Sequence, residues 1–206
     1  MKIAVVGATG MVGSRVVAEA ASRGHDITAV SRTGAPAQAR PNVTERTADI
    51  SDSAVATALA AEHDVVVSAI GPSRQPGGDP GAFAGTLAQL AHDARAARLV
   101  VVGGAGSLLA APGVRLIDTA EFPEIHKVEA LAAADAFDAL RRLDDIGEWT
   151  YLSPAPILAP GERTGSYVLG EDSPVGDTVS VEDFAVALLD EIERPAHTGR
   201  RFTVAN

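Results

Sequence analysis

The apolar positions of this chain alternate between short continuous runs and longer segments with a helical period. Continuous runs, which predict buried strands, occur at residues 2–8, 26–32, 44–50, 64–71, 98–106, 148–158 and 200–206. Helical spacing between these runs predicts helices at 10–24, 53–62, 83–94 and 124–143 and a last helix after Ser180. The first helix carries Val12, Val16 and Ala20 on one stripe and stops at Gly24.

Strands that alternate with helices in this way are typical of a parallel sheet with helices on both faces. The sequence therefore predicts an α/β protein with a doubly wound parallel sheet, a Rossmann fold, in one domain spanning 1–206. A ligand of such a fold binds outside the carboxyl ends of the strands, where the strand order reverses. The glycine- and proline-rich stretches 71–81 and 153–165 follow strands, and we expect them to form mobile flaps over that site. Ser180 and Asp183 have the spacing of a capping box for the last helix.

A glycine-rich loop, GATGMVG at 7–13, joins the first strand to the first helix. Gly7 permits a tight turn, Gly10 lets the backbone approach a diphosphate, and Gly13 lets the helix pack on the strand. Free amides and the positive end of the helix dipole favour phosphate groups at this point. A glycine-rich turn can also be purely structural, but the strand–turn–helix context predicts a dinucleotide site. The expected contacts are Gly7, Thr9, Gly10, Met11, Val12 and Gly13.

The end of the second strand indicates which dinucleotide is bound. It reads VSRT at 30–33 and has no carboxylate to accept from a ribose 2′-hydroxyl, as an NAD enzyme usually has. The Arg32 guanidinium can bind a 2′-phosphate through two hydrogen bonds, and Ser31 can add a hydroxyl. We therefore predict NADP(H) in preference to NAD(H), with a solvent-exposed strand-end arginine as the alternative. Asp49 and Ile50, after the third strand, are placed to meet the adenine, although Asp49 also fits a plain turn.

Composition narrows the range of partners. The 206 residues include 17 basic and 27 acidic side chains, a formal charge of −10, so we expect no binding to nucleic acid or to an anionic membrane surface. The chain has no cysteine, and its histidines lack the spacing of a metal site, so we expect no metal. No run of 18 apolar residues occurs and glycines interrupt the apolar N-terminal segment, which favours a cytoplasmic protein. A monomer and a homodimer are both compatible with the sequence.

Several motifs together resemble the atypical short-chain dehydrogenase/reductases: the glycine loop, TADISD at 47–52, SAIG at 68–71 and VVGGAGSL at 101–108. The last of these and WTYLSPAPILAPGERTG at 149–165 resemble, more narrowly, small NAD(P)-binding proteins named NADH-flavin reductases. Those proteins are similar to NmrA-like proteins and to biliverdin reductase B. The resemblance covers nearly the whole chain and implies a Rossmann fold that binds reduced pyridine nucleotide. We also assign cofactor contacts to Ala69, Ile70, Gly71 and Pro154.

The proton donor of many related reductases is missing. They carry a tyrosine four residues before a lysine, but Pro123 precedes Lys127 here. The two tyrosines of the chain, Tyr151 and Tyr167, lie outside this motif. The resemblance implies that Ser107 is an active-site serine that donates to the carboxamide or the acceptor. Lys127 could hold the nicotinamide ribose and His126 could contribute, while a purely structural role remains open for all three.

A flavin acceptor would remove the need for a tyrosine. Hydride transfer leaves an anion spread over the flavin ring, so alignment of donor and acceptor can supply most of the catalysis. The leading hypothesis is therefore an NADPH-dependent reductase of flavin, as a substrate, or of a quinone-like aromatic acceptor. One alternative is a nucleotide-sensing, NmrA-like binding protein without turnover. Another is an isomerase or reductase of a small metabolite that uses Ser107 and His126.

Overall fold

The computed structural model of the chain describes residues 1–34, 40–73 and 77–206. The strands within these ranges are β1 (Lys2–Val6), β2 (Asp26–Ser31), β3 (Val43–Thr47), β4 (Val65–Ser68), β5 (Arg98–Val102), β6 (Leu109–Ala111), β7 (Val114–Arg115), β8 (Trp149–Pro154), β9 (Ile157–Ala159), β10 (Val168–Gly170), β11 (Thr178–Ser180) and β12 (Arg200–Ala205). The α-helices are α1 (Met11–Ser22), α2 (Ser53–Glu62), α3 (Phe83–Asp93), α4 (Lys127–Leu140) and α5 (Val181–Glu193). Short 3-10 helices lie at Pro80–Ala82, Leu116–Asp118 and Glu124–His126.

The main sheet has eight strands in the order β3-β2-β1-β4-β5-β8-β12-β10. All neighbouring pairs are parallel except β10 with β12. The chain order reverses between β1 and β4, so the loops after these two strands diverge and leave a crevice at the carboxyl edge. The predicted doubly wound fold is confirmed, with an antiparallel edge strand at Val168–Gly170, for which the sequence predicted no strand.

Two apolar layers enclose the sheet, because successive residues of a strand point to opposite faces. Ile3 and Val5 of β1 pack in the layer that includes α1 and α5. Ala4 and Val6 pack in the other layer, with α2, α3 and α4. A central strand buried on both faces reads as a continuous apolar run rather than an alternating one, which is why these runs predicted the sheet.

The predicted strand at 148–158 is interrupted. Trp149–Pro154 belongs to the main sheet, whereas Ile157–Ala159 pairs with β11 in a separate two-stranded sheet. The pairing with β12 runs through Pro154 to the Ala155 amide, which donates to the Val204 carbonyl at 3.0 Å, and the next residue, Pro156, has no amide proton to extend it.

The second half of the 153–165 stretch is fastened to the helices. Arg163 forms a two-point ion pair with Glu19 of α1, with both nitrogen–oxygen distances at 2.8 Å. Thr164 Oγ1 donates to Asp183 Oδ2 at 2.6 Å, and the Gly165 amide donates to Asp183 Oδ1 at 2.7 Å. The polar groups of this segment are thus bonded to α1 and α5, and its mobility stays a prediction. The matching expectation for 71–81 falls partly on 74–76, outside the described residues.

The start of α5 shows half of the expected capping box. Ser180 Oγ accepts from the Asp183 amide at 3.0 Å, as the spacing predicts. The Asp183 carboxylate faces the loop at 164–165, and the Ser180 amide donates instead to Asn206 Oδ1 at 3.1 Å. The C-terminal residue thus completes the cap.

Candidate functional site

The glycine loop after β1 packs its backbone against neighbouring backbone at two points. A Cβ added to Gly7, whose φ is +83°, would lie 2.6 Å from the Ala69 carbonyl oxygen. A Cβ on Gly13 would lie 2.1 Å from the carbonyl oxygen of Gly7. Neither contact can be relieved by rotating a side chain, because both partners are backbone. Gly7 and Gly13 therefore allow the close packing of β1, α1 and the loop after β4.

The middle glycine faces outward. Gly10 is exposed, and a Cβ there would meet only the Gly7 carbonyl oxygen, at 3.3 Å. Gly10 is also the N-cap of α1 and provides no side-chain cap, so the amides of the first turn have no intrahelical acceptor. Thr9 and Met11 beside it are exposed as well, while Val12 is partly buried. This amide-lined, side-chain-free surface could hold the diphosphate of a dinucleotide.

The ends of β2 and β3 lie beside the glycine loop. Ala8, Thr9, Ser31 and Gly34 line one depression together with residues of β3. Ser31 Oγ accepts from the Gly34 amide at 3.2 Å, which closes a turn after β2. Arg32 is exposed in this turn. A cation and a hydroxyl thus lie beside the loop that could hold the diphosphate.

Asp49 and Ile50 follow β3 at the same edge. Hydrogen bonds from the Ser51 amide and hydroxyl hold the pKa of Asp49 below its ordinary value, and the nearby charge of Arg32 acts in the same direction. Ile50 is partly buried against the apolar layer of α2, α3 and α4. The carboxylate already accepts two hydrogen bonds from Ser51, at 3.0 and 2.9 Å, so its local role is to shape the turn before α2.

The residues after β4 form the other wall of the crevice. The Ala69 amide donates to the Val6 carbonyl at 2.8 Å, which extends the β1–β4 pairing toward the glycine loop. Ala69 and Ile70 are partly buried, and Gly71 is exposed. These three predicted contacts therefore lie on the β4 side of the glycine loop, and Arg32 lies on the β2 side.

The loop after β5 lies on α4. A Cβ on Gly103 would fall 2.0 Å from the ring of Tyr151, and one on Gly106 would fall 3.0 Å from Ala130 Cβ. This loop leads to Ser107, which is 8% exposed. Small residues bring the loop against the helix that also carries the other two predicted catalytic side chains.

Ser107 has a partner that the sequence reasoning missed. Arg201 Nη1 donates to Ser107 Oγ at 2.8 Å and to the Ser107 carbonyl oxygen at 3.0 Å. The signal available in the sequence was the pair of arginines, Arg200 and Arg201, that opens the run of β12. A charged residue in such a run requires a partner, but its identity cannot be read from the run.

His126 and Lys127 lie at the start of α4, one turn before Ala130, the residue that contacts the Ser107 loop. On a helix, positions three and four apart share a face, so both side chains start from the side of α4 that faces this loop. His126 is exposed, and Lys127 Nζ is bonded to Glu124 Oε2 at 2.7 Å. Pro123 directly precedes the 3-10 turn that opens α4, a position where its missing amide proton is not needed.

Neither tyrosine lies free at this site. Burial raises the pKa of Tyr151 to about 12, and its hydroxyl lies 3.4 Å from both the Gly104 amide and the Ala133 carbonyl. Burial, and then its hydrogen bond to Asp190, raise the pKa of Tyr167 to about 12. Both phenols therefore hold their protons tightly, because Tyr151 is buried beneath the loop after β5 and Tyr167 is bonded to Asp190.

The last predicted cofactor contact is Pro154. Pro154 is buried at the end of β8, and Pro156 is exposed two residues later. Across 1–34, 40–73 and 77–206, no three His, Asp or Glu side chains come together in a group able to hold a metal ion. Within the same ranges, none of the helices is long and apolar enough to cross a bilayer.

Comparison with known proteins agrees with this geometry. The model of a family described as NAD(P)H-binding matches residues 7–195. A Burkholderia pseudomallei protein, provisionally described as exported, is 43% identical, with 100% of both chains covered and a TM-score of 0.87. A Streptococcus pneumoniae protein, provisionally named NADH-flavin reductase, is 32% identical over 100% of this chain and 99% of its own, with a TM-score of 0.90. A Bacteroides thetaiotaomicron protein, provisionally named an epimerase, is 34% identical over 99% and 96% of the two chains, with a TM-score of 0.88.

The three structural matches cover at least 99% of this chain, including the glycine loop after β1 and the loop between β5 and α4. Together with the strand order, they support a nicotinamide dinucleotide as cofactor and an oxidoreductase-like protein. The chain belongs to the NAD(P)H-binding family, among the atypical short-chain dehydrogenase/reductases.

Proposed function

We propose that the protein is an NADPH-dependent reductase that passes a hydride directly to a free flavin or a quinone-like aromatic acceptor. The observation that carries the proposal is the placement of the two tyrosines: Tyr151 is buried, Tyr167 is bonded to Asp190, and burial raises the pKa of both phenols to about 12. A carbonyl substrate becomes an alkoxide and needs such a proton donor. An aromatic acceptor spreads the added charge over its ring and can take its proton from water.

The same observation opposes an epimerisation that uses a tyrosine as its acid or base, although the name of the Bacteroides relative suggests epimerisation. Inversion at a carbon atom requires a positioned acid and base on the reacting centre. Tyr151 is fully buried, and Tyr167 is bonded to Asp190. The name of the Streptococcus relative, in contrast, describes a reaction that these residues do not hinder.

Bound NADPH would supply the hydride from its nicotinamide ring. The role of the protein would be to hold the dinucleotide and to align its nicotinamide ring with the acceptor. The amides at Gly10 and the first turn of α1 would bind the diphosphate, and Arg32 would bind the 2′-phosphate. Ser107 would donate a hydrogen bond at the reacting end, where Lys127 could reach the nicotinamide ribose. A reaction that depends on alignment requires donor and acceptor atoms about 3–3.5 Å apart, with water excluded between them.

The direct test is a turnover screen of purified protein with NADPH against FMN, FAD, several quinones and several carbonyl compounds. We expect oxidation of NADPH with flavins or quinones and none with simple carbonyls. A rate no higher than that without protein across all flavins and quinones would contradict the proposal. It would favour a nucleotide-sensing binding protein, for which a partner captured only in the presence of NADP(H) is the decisive observation.

A cytoplasmic location of the protein remains a prediction.

The preference for NADPH is tested by Arg32→Glu. The substitution removes a charge-assisted pair with the 2′-phosphate and adds a repulsive carboxylate, so NADPH affinity should fall about 10- to 100-fold while NADH affinity changes little. Calorimetric titration with both nucleotides measures the difference. Arg142→Glu makes the same charge change at an exposed position beyond α4 and should leave both affinities unaltered. Equal losses of NADPH and NADH affinity in Arg32→Glu would show that Arg32 does not recognise the 2′-phosphate.

A further inference from the structure

A buried arginine contacts the candidate catalytic loop from the far end of the chain. Arg201 of β12 is 7% exposed and lies 94 residues away from Ser107 in sequence. Its Nη1 donates to both oxygens of Ser107, at 2.8 Å to Oγ and 3.0 Å to the carbonyl. Its Nε and Nη2 donate to Asp172 Oδ1 at 2.9 and 2.5 Å. The guanidinium lies over the ring of Phe137, 4.5 Å from the centroid.

These contacts restrict what the Ser107 hydroxyl can do. A guanidinium has donors but no acceptor, so in the bond with Arg201 the serine oxygen accepts. The hydroxyl proton therefore stays available for a different acceptor. Because Arg201 also holds the Ser107 carbonyl, both the backbone and the side chain of this residue are held in one geometry. The positive charge polarises the hydroxyl and strengthens it as a donor.

Arg201 is itself held on three sides. Asp172 takes two of its nitrogens, Phe137 covers one face, and the register pairs it with Tyr151 of β8. The loop is already attached near this point without the arginine, because the Leu109 amide donates to the Asp172 carbonyl at 2.8 Å. Burying a cation costs free energy, and the loop is attached without Arg201. Attachment of the loop alone therefore does not explain why a buried arginine stands here.

We propose that Arg201 is a positioning residue that acts through Ser107. It holds the serine as a hydrogen-bond donor directed at the nicotinamide carboxamide or at the acceptor atom that gains charge in the reaction. This inference rests on the proposed function, because it presumes that Ser107 contacts the reacting groups. A donor aimed at developing charge is worth more in the transition state than in the ground state, so its loss should lower kcat more than it raises KM.

The test is a double-mutant cycle with NADPH and FMN as the assay pair. Arg201→Met removes the donors and keeps an apolar side chain, and Ser107→Ala removes the hydroxyl. Each is expected to lower kcat about 10- to 100-fold with a smaller change in KM, and the double variant should be no slower than Ser107→Ala alone. Arg201→Lys, which retains a donor, should recover part of the rate. Arg200→Met is the matched control, since Arg200 is exposed and bonded to the Ala196 carbonyl, and it should leave kcat unchanged.

Losses that multiply in the double variant would overturn the inference, as would an unchanged kcat in Arg201→Met beside a reduced one in Ser107→Ala. A crystal structure of Arg201→Met provides a measurement that does not depend on turnover. We expect Ser107 Oγ to leave its position, and an unmoved Oγ would contradict the positioning role. If Arg201→Met does not fold, Asp172→Asn takes its place and should give a smaller loss of kcat and a displaced guanidinium. Wild-type protein that fails to turn over any acceptor would refute the proposed function, whereas a wild type that turns over FMN beside an Arg201→Met variant with an unmoved Oγ and an unchanged kcat would refute the positioning role alone.

Discussion

Replacing Gly13 with alanine is expected to destabilise the protein and to abolish binding of NADPH. The new Cβ would lie 2.1 Å from the Gly7 carbonyl oxygen and 2.8 Å from its carbon, so α1 would have to move away from β1. Overpacking of a rigid interior costs about 1–3 kcal/mol, and a backbone-on-backbone clash belongs at the upper end of that range. Displacing α1 also displaces the amides that would bind the diphosphate. Urea unfolding and calorimetric titration with NADPH measure the two effects.

Gly10→Ala separates binding from folding. Its Cβ would meet only the Gly7 carbonyl oxygen, at 3.3 Å, so we expect the free energy of unfolding to change by about 1 kcal/mol or less. The methyl group would nevertheless stand on the exposed surface that a diphosphate must approach, and NADPH affinity should fall at least about 10-fold. Wild-type affinity in Gly10→Ala would mean that the diphosphate does not cross this residue.

Gly85→Ala is the control for both glycine variants. Gly85 is exposed within α3, and an added Cβ would have no neighbour within 4 Å. Alanine should therefore stabilise the helix by about 0.5–1 kcal/mol and leave cofactor affinity unchanged. A loss of stability in this variant would show that the space around an added Cβ does not determine how a glycine substitution changes the free energy of unfolding.

The second large effect is expected for Glu191→Gln, far from the cofactor site. Glu191 is 4% exposed and pairs with Arg98, which is 8% exposed, at 2.5 Å. The Arg98 Nε atom is already buried without a partner in the part of the chain that the structure describes. Removing the charge of Glu191 leaves a buried cation uncompensated, which costs about 3–5 kcal/mol of unfolding free energy. Glu62→Gln, which breaks the exposed pair between Arg46 and a carboxylate that is 59% exposed, should cost less than about 1 kcal/mol.

The same carboxylate predicts the direction of acid sensitivity. Burial disfavours the charged form of Glu191, but hydrogen bonds from the His197 ring and the amides of His197 and Ala196, with the charge of Arg98, lower its pKa below the ordinary value. A lowered pKa means that its contribution to stability is complete above the unfolded-state value and is lost as the pH falls through the folded-state value. Stability of the wild type should therefore fall below about pH 4.5, and Glu191→Gln should show a weaker dependence there. Denaturant unfolding between pH 3 and pH 7 would test this, and identical pH slopes in the two proteins would contradict it.

Much of the fold was predictable because its signals are local. The helix expected at 53–62 begins and ends where the structure places it, since helical period and flanking polar residues are both present in the segment. The parallel strands of the main sheet and the glycine loop were accessible for the same reason, whereas the short strands β6, β7, β10 and β11 were not predicted. The split of the strand at 148–158 was missed because a continuous apolar run does not reveal which sheet each half joins.

The candidate site was predictable only in part. Gly7, Gly10 and Gly13 could be assigned from their spacing, because the turn they form is encoded within seven residues. The ion pair between Arg163 and Glu19 could not be assigned, because the two residues lie far apart in sequence. The sequence of a glycine- and proline-rich stretch does not show whether its polar side chains are solvated or paired with other residues.

The amino-acid sequence by itself determines the alternation of strands and helices, the glycine loop after β1 and the lack of a tyrosine at position 123. These features depend on neighbours within a few positions, so period and spacing are enough. The bond between Arg201 and Ser107 and the burial of Glu191 beside Arg98 join residues more than 90 positions apart. Such pairs depend on strand register, crossover geometry and the direction of each side chain, which exist only once the sheet has assembled.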